Sequence, residues 1–381
     1  MRIGIDYTAA ARQHAGIGRY TRELVGALLA SPNPHQYTLF AATGGIERRT
    51  SNVKRQVSGV KFCTLPLSDE WLARLWHRLR LPIPVETITG PLDLFYSPDF
   101  VLPPTRRTTR TLLTVHDLSF LRYPDHFVPK LVRYLNAVVP RSVARADRVL
   151  ADSEATRADL VTYLGTPPEK VEVLYSGVDQ RFCPQPEQGE VERIRARYGL
   201  DERPYVLSVG TVQPRKNYVR LIRAFVSLKA EAQLIIAGGR GWLYQDILAE
   251  AEKHPERVRM LGFVDDADLP ALYRGASLFV FPSLYEGFGL PVLEAMACGV
   301  PVVCSDASSL PEVAGDAALP VDPLDTGGLA EAMARVLEDA ELRREMTAKG
   351  ITRAARFTWE QAARQLLAAF DAVRLVSPNH P

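Results

Sequence analysis

The chain of 381 residues is too long for one ordinary domain and fits two; with 46% hydrophobic and 24% charged residues, each half can bury a full core. Its 46 basic residues stand against 44 acidic ones, a balance that excludes the electropositive footprint of a nucleic-acid binder. No apolar run approaches the roughly 18 residues of a membrane span, and Asp6 and Arg12 interrupt any signal peptide. The expectation is a cytoplasmic protein in which Cys63, Cys183, Cys298 and Cys304, lacking metal-ligand spacing, stay reduced.

A short apolar strand over 2–6 leads into Ala15-Gly-Ile-Gly-Arg-Tyr20 and a helix with Tyr20, Leu24, Ala27 and Leu28 on one face. Strand, Gly16-x-Gly18, helix is an anion-receptive order, and equally the order of a plain tight turn. Strands follow at 37–41, 60–65, 94–96, 112–115, 148–151 and 171–174, with helical stretches between several of them. Apolar, β-rich runs separated by helices imply a parallel sheet covered on both faces, and such sheets bind ligands beyond their strand C-terminal ends. His116, beside Asp117, lies just past the strand ending at Val115, so it is a candidate for ligand contact as well as for a satisfied loop histidine.

Between these strands, residues 70–80 place Leu72, Leu75, Trp76 and Leu79 at helical spacing, with Arg74, Arg78 and Arg80 elsewhere. A basic amphipathic helix with tryptophans can lie on the inner face of an anionic membrane. The sequence favours the other reading, a helix packed on the sheet with its arginines in solvent.

Turn residues over 177–186, a charged helix over 191–198, then Gly199 and Pro204 mark the linker. A second series of strands follows at 205–209, 233–237, 258–261, 277–281, 301–304 and 318–321, again alternating with helices. The second half is therefore another doubly wound sheet, although no sequence repeat relates the halves. Its first loop, Gly210-Thr-Val-Gln-Pro-Arg-Lys-Asn217, sets Arg215 and Lys216 side by side at a strand end, where Arg can clamp two phosphate oxygens and Lys supply a point charge. Asp266 and Asp268 have the spacing of a metal-binding pair, but the local sequence favours a helix start with acidic residues in its first turn.

The most informative stretch runs from Phe281 through Glu286-Gly-Phe-Gly-Leu-Pro-Val-Leu-Glu294 to Gly299. It reads as a strand, an open turn and a helix whose first turn carries Pro291 and Glu294. A helix start offers unpartnered N–H groups and the positive end of its dipole to an anion, and Gly287 and Gly289 let a ligand approach the main chain. Two carboxylates beside an anion site make sense if they accept hydrogen bonds from sugar hydroxyls, so the ligand is a phosphate flanked by polyols, a nucleotide sugar. The plain alternative is a buried βα corner. The chain closes on a helix with Leu366, Leu367, Phe370 and Val373 at helical spacing, and its 377–381 tail is expected to be disordered.

Taken together, the chain resembles the retaining glycosyltransferases of the GT-B type, in the group called family 4, over nearly its whole length. The resemblance rests on Ile3-Gly-Ile-Asp, Gly16-Ile-Gly-Arg-Tyr-Thr, Val115-His-Asp-Leu, Ser176-Gly-Val-Asp179, Val209-Gly-Thr-Val-Gln-Pro-Arg-Lys-Asn217, the glutamates 286 and 294, Gly299-Val-Pro-Val-Val and Leu310-Pro-Glu-Val. It implies an α/β fold of two Rossmann-like, doubly wound parallel-sheet domains facing a central cleft. The domains would be 1–185, joined by the last helix at 359–376, and 186–358. It further implies that Glu294 binds the ribose, Glu286 the hexose hydroxyls, and Arg215 and Lys216 the diphosphate, aided by main-chain N–H groups around Phe288 to Leu290. Gly16 and Gly18 would close over the phosphates and His116 would line the donor sugar. Gly210, Thr211, Phe263, Val264, Gly287 and Gly289 complete the implied donor set. Some relatives carry an arginine where this chain has Thr211, and Arg215 is the natural substitute.

The implied reaction moves a hexose, mannose from GDP-mannose by resemblance, to a sugar, polysaccharide or lipid-linked acceptor without a metal or other cofactor. Three alternatives stay open: a nucleotide-sugar epimerase or hydrolase of the same shape, a phosphorylase-like enzyme holding pyridoxal phosphate, and a non-catalytic nucleotide-sugar-binding protein.

Overall fold

The computed structural model describes residues 1–13, 16–44 and 60–375. Residue 376, the expected end of the last helix, and the 377–381 tail lie outside the described residues. The chain divides into two compact units. One comprises Met1–Leu118, Arg133–Gly177 and the chain from Trp359 onward; the other comprises Ser119–Val132 and Val178–Thr358. The chain passes to the second unit at 177/178, against the 185/186 expected, returns to the first at Trp359, and an earlier segment, Ser119–Val132, belongs to the second unit as well.

The first unit carries seven parallel strands: β1 (Arg2–Asp6), β2 (Gln36–Ala42), β3 (Lys61–Leu65), β4 (Leu94–Ser97), β5 (Arg110–Val115), β6 (Arg148–Ala151) and β7 (Val171–Val173). Their order across the sheet is β3-β2-β1-β4-β5-β6-β7, so the winding reverses between β1 and β4. β4 is buried throughout and β5 is buried from Thr111 onward, so both are covered on both faces. The Ile17–Ala30 helix buries Tyr20, Leu24, Val25 and Leu28, and the Trp359–Leu375 helix packs along it, with Trp359 edge-on to Tyr20 at 5.9 Å.

Residues 69–78 are not one amphipathic helix. A single α-turn, Asp69–Leu72, passes into a π-helical segment, Ala73–Arg78. Leu72 and Trp76 pack inward, Trp76 against Phe40 at 6.1 Å, while Leu79 stays 63% exposed. The expected packing on the sheet thus holds for two of the four spaced residues, Leu72 and Trp76.

The second unit carries six parallel strands: β8 (Tyr205–Val209), β9 (Gln233–Ala237), β10 (Val258–Gly262), β11 (Leu278–Phe281), β12 (Val302–Ser305) and β13 (Ala318–Val321). Their order, β10-β9-β8-β11-β12-β13, reverses between β8 and β11. One core on a face of this sheet is formed by Leu221, Ile222 and Phe225 of the Tyr218–Val226 helix with Leu234, Ile236, Leu278 and Val303. Ser119–Val132 docks on this unit through Trp242, whose indole donates to the His126 carbonyl at 2.7 Å, and through Tyr123, whose hydroxyl donates to the Leu284 carbonyl at 3.4 Å.

Of the acidic run at 265–268, only Asp268 sits at the start of the Leu269–Arg274 helix, and its side chain makes no capping bond. Asp268 instead accepts from the Tyr198 hydroxyl at 2.6 Å, and both Asp265 and Asp268 pair with Arg197. The run ties the Glu190–Tyr198 helix to this loop.

Candidate active site

A parallel sheet opens a crevice where its winding reverses, because the loops leaving the two neighbouring strands run to opposite sides. In the second unit that place lies between β8 and β11, and the two loops that the sequence singles out leave these two strands. Gly210 and Thr211 start the first loop, and a single turn, Pro214–Lys216, presents Arg215 and Lys216, each less than a tenth exposed. Asn217 adopts a left-handed conformation, φ 61°, and donates to the carbonyls of Pro282 and Pro323 at 3.0 and 2.6 Å. It thereby fixes the loop after β8 to the ends of β11 and β13.

The second loop brings Glu286 to the two cations. Its Oε1 lies 2.6 Å from Lys216 Nζ and its Oε2 lies 2.9 Å from Arg215 Nη1. The Arg215 guanidinium also donates to the Tyr285 carbonyl, and Lys216 Nζ sits 4.6 Å over the Phe281 ring. Burial alone would raise the Glu286 pKa, but the charges of Arg215 and Lys216 and the hydrogen bond from Lys216 outweigh it and hold it at about 2. The carboxylate is therefore ionised across the physiological range, and the cluster of two cations and one anion carries one net positive charge. The loop is braced from β12's far side: the Glu286 N–H donates to Ser308 Oγ at 2.8 Å, and the Ser309 hydroxyl reaches the carbonyls of Glu286 and Phe288 at 3.0 and 2.7 Å.

Gly287 and Phe288 then lead to Gly289, which opens the Leu290–Ala297 helix with φ 114°, a backbone closed to ordinary side chains. The helix start presents its first amides here, with Pro291 in the first turn where its missing N–H costs nothing. Glu294 lies a turn further in than the sequence suggests. It is almost fully buried and accepts from the Tyr273 hydroxyl at 3.0 Å. Phe263 and Val264 follow β10, two strands from the reversal: Phe263 is 53% exposed and Val264 is buried.

In the first unit His116 leaves β5, with its ring held edge-on between Tyr20 at 4.8 Å and Phe100 at 5.4 Å. Nδ1 lies 2.7 Å from Asp152 Oδ2 and Nε2 lies 2.9 Å from the Pro98 carbonyl. Desolvation by itself lowers the His116 pKa, yet the charge and hydrogen bond of Asp152 overcome it and raise it to about 9. The imidazolium thus spends both N–H groups on the protein. Gly16 begins the Ile17–Ala30 helix with φ 51°, and a Cβ there would meet nothing within 4 Å among the described residues. Gly18 differs, since a Cβ would lie 2.4 Å from the Gln13 carbonyl oxygen. Its smallness is required by packing, whatever else it does.

The structure therefore gathers Arg215, Lys216, Glu286, Gly287, Phe288, Gly289 and Leu290 at one strand edge of the second unit, and His116, Gly16 and Gly18 in the first. Comparison with known proteins now decides the family. Residues 14–182 match Glycosyltransferase Family 4 and residues 190–353 match Glycosyl transferases group 1. The O-antigen chain mannosyltransferase B of Escherichia coli is 34% identical over 370 residues, covering 93% of this chain and 95% of that one. The chain belongs to the group 1, family 4 glycosyltransferases.

The fold of this glycosyltransferase is shared with solved structures. Sucrose-phosphate synthase of Thermosynechococcus elongatus is 22% identical with a TM-score of 0.77, covering 99% of this chain and 100% of that one. Anabaena HepE in complex with UDP-glucose is 20% identical with a TM-score of 0.74, covering 98% and 100%. These likenesses, with the two parallel sheets, show the GT-B fold class.

Sequence reasoning missed several residues that shape this glycosyltransferase's site. Asn217 was visible only as the end of the cation loop, although an Asn before a helix is a signal for a left-handed cap. Tyr273 and the serines at 308 and 309 gave no local signal, because their partners are 21 or more residues away in sequence. Asp152 likewise became part of the site only when β6 was placed beside β5. Among the described residues no group of three or more His, Cys, Asp or Glu could hold a metal ion, and no helix is long and apolar enough to cross a membrane.

Proposed function

We propose that the protein transfers mannose from GDP-mannose to a hydroxyl of a glycan, polysaccharide or lipid-linked acceptor, with retention of the anomeric configuration and without a metal. The observation that carries this reading is the cluster of Arg215, Lys216 and Glu286 beside a helix start at the reversal of the second sheet. The mannosyltransferase of Escherichia coli, similar over almost its full length, supports mannose as the sugar.

Expelling a nucleoside diphosphate requires that negative charge be absorbed as the C1–O bond breaks. Preorganised donors do this best, because they pay no reorganisation at the moment of reaction. Lys216 and the amides at Gly289 and Leu290 take that part, with Arg215 holding the Glu286 loop through the Tyr285 carbonyl and the carboxylate. Glu286 accepts the two cations through different oxygens, and a carboxylate has about four acceptor positions, so it also receives hexose hydroxyls. Glu294, oriented by Tyr273, receives the ribose hydroxyls. The acceptor oxygen bonds to C1 on the face from which the diphosphate departs, and its proton passes to a phosphate oxygen of the leaving group.

The test is incubation of the purified protein with GDP-mannose labelled at C1, followed at once by NMR. Release of GDP with product of the donor's own anomeric configuration, unaffected by a chelator, supports the reading. Product of inverted configuration, or binding without any turnover, contradicts it.

A further inference from the structure

Two adjacent residues after β12 break local rules, and both face the loop that carries Glu286. Ser308 holds a left-handed backbone, φ 55°, which a residue with a Cβ keeps only where its surroundings impose it. Ser309 opens the Leu310–Ala314 helix, its carbonyl accepting the Val313 N–H at 2.9 Å, yet its hydroxyl makes no capping bond to that helix. A serine in this place ordinarily turns its oxygen onto the first amides of its own helix. Here the hydroxyl turns the other way and donates, shared between two acceptors, to the carbonyls of Glu286 at 3.0 Å and Phe288 at 2.7 Å. Ser308 Oγ accepts the Glu286 N–H at 2.8 Å and donates to the Ala307 carbonyl at 2.7 Å. Leu310 closes the contact, its Cδ2 lying 2.6 Å from where a Cβ on Gly289 would stand. Both serines give up a locally favourable state, and what they gain is a hold on the Glu286 loop.

A trans peptide holds its C=O and its N–H on opposite sides of the chain in one plane, and among the described residues no peptide is cis. With the Glu286 and Phe288 carbonyls drawn to Ser309, the N–H groups of the same two peptides, those of Gly287 and Gly289, are turned to the other side. The preceding peptide shows what lies there: its N–H faces Ser308, and its carbonyl, that of Tyr285, faces the Arg215 guanidinium. The serines thus stand on one side of the loop and the cation on the other. We infer that Ser309, seconded by Ser308, is a positioning residue that aims the Gly287 and Gly289 amides at the charge developing on the leaving diphosphate. Donors fixed in direction before the reaction stabilise such charge most effectively. The inference rests on the nucleotide-sugar reading of the site for its ligand, and adds to it the side chains that set the direction of the amides from behind.

Two measurements on the full-length protein test this, the first without any sugar donor. Inorganic pyrophosphate titrated into protein carrying isotope-labelled glycine is expected to shift the NMR signals of the Gly287 and Gly289 amides, and Ser309→Ala is expected to lose most of that response. In turnover of GDP-mannose, Ser309→Ala and Ser308→Gly should each lower kcat by about 10- to 100-fold, the size of effect that a misplacement of about 1 Å produces. The ratio kcat/KM should fall in step while KM holds, because the aligned amides act on the transition state. Glycine suits the left-handed backbone at Ser308, so Ser308→Gly relieves strain as it removes the hydroxyl, and its melting temperature should stay near that of the wild type. Its lost rate is then not a lost fold. Wild-type kcat in both variants, a rise in KM alone, or wild-type glycine signals that ignore pyrophosphate would overturn the positioning role. A wild type whose two amides answer pyrophosphate in a Ser309-dependent way, but which never turns over GDP-mannose, would support that role and remove the mannosyl-transfer reading instead.

Discussion

The ammonium of Lys216 and the carboxylate of Glu286 lie 2.6 Å apart, both less than a tenth exposed, although 70 residues of sequence separate them. A buried charge left without its partner is far more costly than a surface one, because the interior screens poorly and the desolvation penalty is no longer offset. Glu286→Gln should therefore destabilise the second unit by about 3–5 kcal/mol as well as lower turnover. Urea unfolding followed by circular dichroism reads the first effect.

The same pair sets an acid limit on stability. The Glu286 pKa falls from 4.5 to about 2 on folding, so its contribution is fully present above pH 4.5 and is lost as pH drops toward about 2. The melting temperature should fall through that window in the wild type, and the part of the fall due to this residue should vanish in Glu286→Gln. Identical pH profiles for the two proteins would show that the carboxylate is not held by the cations in solution.

His116 gives the opposite sign. Its pKa rises from 6.5 to about 9, so the stability it supplies is complete below pH 6.5 and disappears as pH rises through about 9. Asp152→Asn removes the charge that causes the shift, and the His116 ring signals in NMR should then titrate at or below the ordinary histidine value. Titration near pH 9 in that variant would place the cause elsewhere.

Removal of a preorganised donor costs roughly two to three orders of magnitude in turnover when it meets charge developing in the transition state. Lys216→Ala is expected to lose that much in kcat with GDP-mannose at a temperature where it is still folded, since Arg215 continues to pair with Glu286. Near-normal kcat would assign the leaving-group charge to other groups.

Tyr273→Phe removes the hydroxyl that donates to the Glu294 carboxylate and keeps the ring. A bond to a charged group contributes about 1.5–3 kcal/mol, so donor affinity should weaken by about ten-fold or more while kcat at saturation changes little. Loss of kcat with unchanged affinity would separate Glu294 from ribose binding.

Much of the fold was legible because parallel sheets announce themselves. β4, β5, β8, β9 and β11 have buried apolar centres, and helices separate most of the neighbouring strands in sequence, so strand positions in both halves could be read within a residue or two. What the pattern lacks is strand order, and the reversal between β8 and β11 is what brings Lys216 to Glu286. Adjacency in sequence showed Arg215 beside Lys216, but not that Glu286 engages both. The segment Ser119–Val132 was unreadable for a similar reason: its ties to Trp242 and Leu284 span more than a hundred residues. The 70–80 stretch misled by periodicity, since the π-helical segment rotates later side chains off the face that a uniform α-helix would give them.

The most direct test of a donor site at the reversal of the second sheet is calorimetric titration of GDP-mannose, UDP-glucose and ADP-glucose into the wild type and Lys216→Ala. Saturable binding of GDP-mannose to the wild type, tighter than the other two and weakened at least ten-fold in the variant, is the predicted result. Binding of none of the three, or binding that ignores loss of the Lys216 ammonium, would contradict it.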